Sequence, residues 1–410
     1  MKFCLIGEKL SHSYSKEIHN LRGLEYTLKE LPRCGVHDFV KNSDCKGFNV
    51  TIPYKKDVMS FLDVISDEAK EVGAVNTVCN KNGKLYGYNT DVGGFLYMVK
   101  RKGVSLENKN VLILGTGGSS KAVAYAVKSK NAKSVTFVGR TSTVNYENCY
   151  ELKDIEIIIN TTPVGMYPSV DDCPIDLSRF NRLIAVFDLI YNPQKTQFLK
   201  SAESLGLINS NGLSMLVEQA LLAQDIWLDK THVDSDTEQI INTISKTKLN
   251  LVLLGMPSSG KSTIGKLLAE QLNREFVDID DEITKLNGIT PSEFIKTYGE
   301  EEFRKVEARV IKEISIKSGL VISLGGGAVI KEENRKVLAL NSITVYLKRN
   351  LNLLVLENRP LSIEKGVEKL YNERKGFYET ADFSVENNGD KFETVKEIIN
   401  KYEIISNKRT

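Results

Sequence analysis

Histidine, tryptophan and cysteine are scarce in this chain. Four histidines (His12, His19, His37, His232) and a single tryptophan are spread over 410 residues. The six cysteines (Cys4, Cys34, Cys45, Cys79, Cys149, Cys173) all lie in the first half, with no Cys-x-x-Cys pair. That supply builds no zinc-type Cys/His spacing, and the cysteines read as small apolar residues of a reducing compartment. No apolar run approaches the roughly 18 residues of a membrane span, and the opening MKFCLIG is too short for a signal-peptide core. The formal net charge is only +2, which argues against a nucleic-acid or membrane-surface partner. Repeats and low-complexity tracts are missing too. The expectation is a cytoplasmic protein, monomer or homodimer, acting on small molecules.

What is present is a globular composition, 41% hydrophobic and 26% charged, with length for two or three domains. Short β-branched runs alternate with helical stretches. Strands are expected at Lys2–Ile6, Gly47–Ile52, Val111–Leu114, Val135–Val138, Ile155–Ile159 and Ile184–Leu189, and helices at Ser119–Lys130 and Ser214–Leu228. That order predicts parallel sheets wrapped by helices. A helix over Asp236–Ser245 closes the first half, and Lys246–Asn250 reads as a short join. The pattern then restarts, with strands at Leu251–Leu254, Leu320–Leu324, Ile343–Leu347 and Ala381–Val385. Helices are expected at Thr263–Leu272, Pro291–Lys317 (with a break), Leu353–Asn358, Glu364–Arg374 and Phe392–Ile404.

In the second half, Gly255-Met-Pro-Ser258-Ser259-Gly260-Lys261-Ser262-Thr263 completes G-x-x-x-x-G-K-[ST] between a strand and a helix. Glycines let backbone N–H groups curl around phosphates, Lys261 reaches the outer phosphates, and the Ser262 hydroxyl suits Mg²⁺. The helix start adds its dipole. The phosphate acceptor must be read from other residues. Asp278 and Asp280 end a short strand, Arg304 and Glu307 share a helical face, Gly325–Gly327 end another strand, and Arg359 and Arg374 flank a charged stretch. Each has a bland reading: a helix cap, a solvated ion pair, a turn.

In the first half, Gly115-Thr-Gly117-Gly118-Ser119-Ser120 approximates the dinucleotide fingerprint G-x-G-x-x-G. Arg140 and Thr141 follow the second strand where an acidic residue would hold a ribose hydroxyl. An arginine there suits a 2′-phosphate, so NADP(H) is favoured over NAD. The bland alternative for Arg140 is a surface charge.

The ordered series Ser11-His-Ser13-Tyr-Ser15, Asn49-Val-Thr51-Ile-Pro-Tyr-Lys55, Gly73-Ala-Val-Asn76-Thr, Gly87-Tyr-Asn-Thr-Asp91, Asn160-Thr-Thr-Pro and Asn211-Gly-Leu-Ser-Met215 to Gln219 resembles shikimate dehydrogenase over residues 1–245. The resemblance implies Lys55 and Asp91 as the catalytic pair, Ser13, Ser15, Thr51, Asn76, Tyr191 and Gln219 as substrate contacts, and Met215 beside the nicotinamide. Residues 249–406 resemble shikimate kinase. That implies Asp280 on the substrate hydroxyls as catalytic base, Asp278 with Ser262 at Mg²⁺, and Arg304, Arg374, Gly326 and Gly327 around the substrate. It also implies catalytic roles for Lys261 and for Arg359, the lid arginine that closes on ATP. Planar guanidinium groups suit a carboxylate.

The departures are a missing proline near Gly7–Leu10, Lys16 where proline is common, shortened stretches at Leu21–Lys46 and Thr143–Asp154, and a short lid between Arg359 and Arg374. The implied fold class is α/β: a shikimate-dehydrogenase-like substrate domain with a Rossmann NADP domain, then a P-loop kinase α/β/α domain with a parallel sheet. The division expected is 1–246 (substrate part about 1–95 and 205–246, nucleotide part about 96–204) and 247–410. The implied substrates are 3-dehydroshikimate and shikimate, with NADP(H), ATP and Mg²⁺. Three alternatives stay open: a quinate- or NAD-preferring dehydrogenase, a half turned regulatory, and a kinase for another polyol such as gluconate.

Overall fold

The computed structural model describes residues 2–10, 13–354 and 366–408. The chain divides into two compact units, Met1–Tyr191 with Lys195–Ile241, and Asn192–Gln194 with Asn242–Thr410. Each is described by itself.

The first unit holds two sheets. The strands of the first are β1 (Lys2–Gly7), β2 (Tyr26–Glu30), β3 (Cys45–Val50), β4 (Val64–Ile65), β5 (Thr77–Lys81) and β6 (Lys84–Tyr88), in the order β2-β1-β3-β5-β6-β4. It is mixed: β5 runs antiparallel to β3 and β6, and the other pairs are parallel. The hairpin turn between β5 and β6 is Asn82-Gly83, with φ +55° and +82°, the left-handed pair that a two-residue turn demands.

The second sheet contains β7 (Asn110–Leu114), β8 (Ser134–Val138), β9 (Ile157–Asn160), β10 (Ala185–Asp188) and β11 (Ile208–Ser210), all parallel in the order β11-β10-β9-β7-β8. Unbroken apolar runs such as Ile157–Ile159 make strands buried on both faces. Alternate residues serve separate cores. Val111, Ile113, Ile157 and Ile159 face one cluster, while Leu112, Leu114 and Ile158 face the other.

In the second unit β12 (Asn250–Leu254), β13 (Phe276–Asp278), β14 (Val321–Ser323), β15 (Ser342–Lys348) and β16 (Phe383–Glu386) form a parallel sheet ordered β13-β14-β12-β15-β16. Leu251, Leu253, Val345 and Leu347 meet Ile264 and Leu268 of the helix Lys261–Leu272, and Val395 and Ile398 of the helix Lys391–Lys408.

Most expected strands and helices appear within a few residues of their expected ends. The stretch Pro291–Lys317 is two helices, Pro291–Tyr298 and Glu300–Ser315, divided at Gly299 (φ +89°). The join at Lys246–Asn250 is shorter than read: the helix Asp234–Lys248 takes up most of it and only Leu249 precedes β12. Around position 353 the described chain is a single 3-10 turn, Leu351–Leu353, and the rest of the helix expected there lies outside the described residues. Strands β2, β4, β5, β6 and β11 were not anticipated. β2 and β4 have few buried apolar side chains to announce them. Four cysteines are buried, but Cys34 and Cys173 are exposed, which corrects their reading as apolar filling.

Candidate active sites

In the first unit, Asp91 opens the helix Asp91–Arg101 and meets Lys55, which stands in the loop after β3. Lys55 Nζ donates to Asp91 Oδ2 at 2.6 Å, and Asn76 Nδ2 donates to Asp91 Oδ1 at 2.9 Å. Both members of the ion pair are mostly shielded, with side-chain exposures of 18% and 11%. Asn76 is itself fixed, accepting from the Thr90 backbone N–H at 2.8 Å and donating to Thr90 Oγ1 at 3.0 Å. Thr90 Oγ1 lies 3.5 Å from Gln219 Oε1.

Gln219 comes close because the helix Asp91–Arg101 presents Gly93 and Gly94 to the helix Leu213–Leu228. A β-carbon on Gly94 would stand 2.6 Å from the Met215 carbonyl oxygen, and one on Gly93 would stand 2.5 Å from a Leu222 methyl. Glycine inside a helix costs roughly 0.5–1 kcal/mol relative to alanine, and here it lets two backbones approach.

A cavity of about 950 Å³ joins Lys55 to Gly115, Gly117, Gly118, Thr161 and Arg140. It opens at the carboxyl ends of β7 and β9, where the strand order reverses, the usual ligand crevice of such sheets. Nothing stands within 4 Å of where a β-carbon would sit on Gly117 or Gly118, so the face of the turn is open. Ser119 begins the helix Gly118–Ser129, and Arg140 and Thr141 are exposed after β8. Thr51 follows β3 and donates its backbone N–H to Ile6.

Ser13 Oγ lies 3.1 Å from Ser15 Oγ, and the Tyr14 ring between them meets Tyr191 at 5.1 Å. Burial pushes the Tyr191 phenol up to about 12. The Met215 side chain belongs to the core on one face of the sheet.

In the second unit the functional groups gather at the carboxyl ends of β12, β13 and β14. Gly255 (φ +147°), Ser258 (φ +63°) and Gly260 (φ +94°) bend the loop. Lys261 is buried at the head of its helix and donates to the carbonyls of Gly255 and Met256 at 3.1 and 2.8 Å. Ser262 Oγ donates to Asp278 Oδ2 at 2.6 Å, while Thr263 is exposed in the first turn. Asp278 also caps the helix Ile279–Asn287, accepting from the Asp280 N–H at 3.0 Å. The cap reading of Asp278 therefore holds, and the same carboxylate also receives the Ser262 hydroxyl.

Arg304 and Glu307 do not form a solvated pair. Glu307 is fully buried, and Arg304 Nη1 donates to it at 2.7 Å. Burial pushes the Glu307 carboxyl above its ordinary value, against the pull of Arg304.

The triple glycine is a set of close approaches rather than a free turn. A β-carbon on Gly325 would meet Glu307 Oε1 at 2.8 Å and Asp280 Oδ1 at 3.0 Å. On Gly326 it would meet Pro257 Cδ at 2.6 Å, and on Gly327 it would meet Arg304 Nη2 at 2.2 Å. Arg374 is buried, and its Nε has no hydrogen-bond partner among the described residues. The same holds for Glu307 Oε1 and Ser259 Oγ.

Arg359 lies outside the described residues. Glu307 was named from the sequence only as the helical neighbour of Arg304, without a place in the site. Arg349, just past β15, was not singled out at all, and its Nη1 lies 3.8 Å from where a β-carbon on Gly260 would sit. Position after a strand end was the available signal for Arg349. For Glu307 no pattern separates a buried pair from a solvated one.

The fold and these constellations define an enzyme with two nucleotide-type sites, one at a Rossmann sheet and one at a P-loop. A family model for the shikimate dehydrogenase substrate-binding domain matches residues 5–78, and one for shikimate kinase matches residues 257–403. The chain is 40% identical over 262 residues to a shikimate dehydrogenase (NADP(+)) of Clostridium perfringens, covering 58% of this chain and 96% of that one. A Clostridium beijerinckii counterpart is 41% identical over 244 residues, covering 54% and 90%.

Among solved structures, a chorismate mutase/shikimate 5-dehydrogenase fusion protein from Clostridium acetobutylicum aligns with TM-score 0.57 at 37% identity, covering 60% of this chain and 97% of that one. The shikimate 5-dehydrogenase of Thermus thermophilus in complex with NADP(H) and shikimate aligns with TM-score 0.54 at 30% identity, covering 59% and 99%. The chain belongs to the shikimate dehydrogenase family and carries a shikimate kinase domain fused behind it.

Proposed function

We propose that residues 1–246 reduce 3-dehydroshikimate to shikimate with NADPH, and that residues 247–410 phosphorylate shikimate on its 3-hydroxyl with ATP and Mg²⁺. Within the first part, about 1–95 and 205–246 hold the substrate and about 96–204 the dinucleotide. The observation that carries this reading is that each unit has its own set of charged side chains beside its own glycine turn.

In the reductase site the open face of Gly117 and Gly118 and the exposed Arg140 suit a pyrophosphate and a 2′-phosphate. NADPH, when bound, supplies the hydride. The ketone oxygen then gathers negative charge and takes its proton from Lys55 Nζ. Asp91 and Asn76 hold that ammonium group and its carboxylate partner in one geometry. Ser13, Ser15, Thr51, Asn76, Tyr191 and Gln219 bind the carboxylate and ring hydroxyls, and Met215 backs the dinucleotide side.

In the kinase site, Asp280 accepts the proton of the 3-hydroxyl, the oxygen bonds to the terminal phosphorus of ATP, and ADP leaves. Positioning and charge neutralisation do most of the work in such transfers. The loop N–H groups, Lys261 and the Ser259 hydroxyl, which has no partner among the described residues, suit the phosphates, and Ser262 with Asp278 suits Mg²⁺, which would neutralise phosphate charge. Arg304 and Arg374 take the substrate carboxylate, Gly326 and Gly327 offer bare backbone, and Arg359 closes over ATP.

A coupled assay tests this reading. Full-length protein receives 3-dehydroshikimate, NADPH, ATP and Mg²⁺. NADPH loss with appearance of shikimate 3-phosphate by mass is expected. NADPH loss with shikimate accumulating would refute the kinase assignment, and no NADPH loss would refute the reductase assignment.

A further inference from the structure

The glycine loop after β14 leaves one carbonyl to be held from outside. Within the loop, Ala328 N–H donates to the Gly325 carbonyl at 3.0 Å and Ile330 N–H donates to the Gly327 carbonyl at 3.1 Å. The carbonyl between them, on Gly326, accepts the hydroxyl of Tyr378.

Tyr378 is completely buried near the end of the helix Val367–Tyr378, one turn after Arg374. Its ring stacks on Tyr346, centroid to centroid 5.2 Å, and its hydroxyl also lies 3.8 Å from Met256 Sδ of the phosphate loop. Burial pushes the phenol up to about 12, so it remains a donor across the working range of pH.

A peptide unit is planar, and in the trans form its C=O and N–H point in opposite directions. The Gly326–Gly327 bond is not among the cis peptides of the chain. Fixing the Gly326 carbonyl therefore fixes the direction of the Gly327 N–H. Two adjacent glycines have the freedom to turn that peptide over, so something outside the loop must choose its orientation.

We infer that Tyr378 is a positioning residue of the kinase site: its hydroxyl holds the Gly326 carbonyl and so aims the Gly327 N–H at the substrate. This rests on the shikimate kinase reading above. Tyr378 is not itself placed against substrate. It acts through a peptide plane, while Arg374 on the same helix acts directly. One helix thus supplies a cation to the substrate and orients a backbone donor for it.

The test is Tyr378→Phe in the full-length chain, with Tyr346→Phe as a control that deletes a hydroxyl from the stacked neighbour. Phosphorylation and NADPH-dependent reduction are both measured. The expected result for Tyr378→Phe is a KM for shikimate raised roughly 5- to 50-fold, the scale of leaving a buried carbonyl unpaired. The KM for ATP should stay within about twofold of the parent, since a single uniform binding contact is lost, and reduction should be unchanged. Tyr346→Phe should behave as the parent. A lower melting temperature with unaltered KM values would overturn the inference and leave the hydroxyl a stability element. Equal rises in both KM values would overturn it too, pointing to general loosening of the site. If the unsubstituted protein fails to phosphorylate shikimate, the kinase reading falls and this inference falls with it.

Discussion

The two sites differ in how far the protein satisfies its own polar groups. Around Lys55 the network is closed: the Asp91 carboxylate receives Lys55 and Asn76, and Asn76 is held in turn by Thr90. In the P-loop unit Arg374 Nε, Glu307 Oε1 and Ser259 Oγ are buried without a hydrogen-bond partner among the described residues. Burying an unpaired polar group costs about 1–3 kcal/mol. Under the function proposed above, the reductase site can be assembled in advance because one ion pair does the proton chemistry. The kinase site, which under the same proposal receives several anionic groups at once, keeps donors such as Arg374 Nε and Ser259 Oγ uncommitted.

Substitutions at the two lysines break the comparison most strongly. Lys261→Ala should lower phosphorylation about 10³-fold or more, and Lys55→Ala should lower reduction by roughly 10²–10⁴-fold. Steady-state assays of both reactions on each variant check this, and each variant should lose only its own reaction. Gly327→Ala comes next. Its methyl would fall on the Arg304 guanidinium, and a misfit of about 1–3 kcal/mol corresponds to a KM for shikimate raised roughly 5- to 150-fold.

Gly94→Ala tests the closed site by wedging the helices Asp91–Arg101 and Leu213–Leu228 apart at the Met215 carbonyl. Reductase stability should fall by about 1–3 kcal/mol, seen as earlier thermal inactivation of reduction with phosphorylation spared. His232 offers a smaller effect, visible only with pH. Its Nε2 lies 3.1 Å from Glu218 and its Nδ1 2.7 Å from Asp225, with Arg22 also on Asp225 and Thr237 on Glu218. Glu218 first, then Asp225, raise its pKa against burial. A raised histidine stabilises the fold fully below about pH 6.5 and loses that contribution as pH rises through the raised value. The inactivation temperature of reduction should therefore fall with rising pH in the parent, and fall less in His232→Gln.

Much of this was legible in the sequence because it is written as local pattern. Unbroken apolar runs marked β7, β9 and β12, and glycine spacing marked both turns. The Asn82-Gly83 signal for the β5–β6 hairpin was also there to be read. β2, with one buried residue in Tyr26–Glu30, has no such pattern, since its place follows from pairing with β1. The burial of Glu307 and the reach of Tyr378 to Gly326 depend on what lies above a side chain in space, which spacing along a helix does not record.

The strip Gly325–Gly327 also bears on inheritance. Every missense change in a glycine codon introduces a β-carbon, and at these positions that carbon would land on Glu307 and Asp280, on Pro257, or on Arg304. These codons have no conservative missense neighbours. Under the function proposed here, an allele altered there would keep the first activity of the polypeptide and lose the second. A cell carrying it would accumulate the intermediate instead of lacking it, and that overflow would be its phenotype.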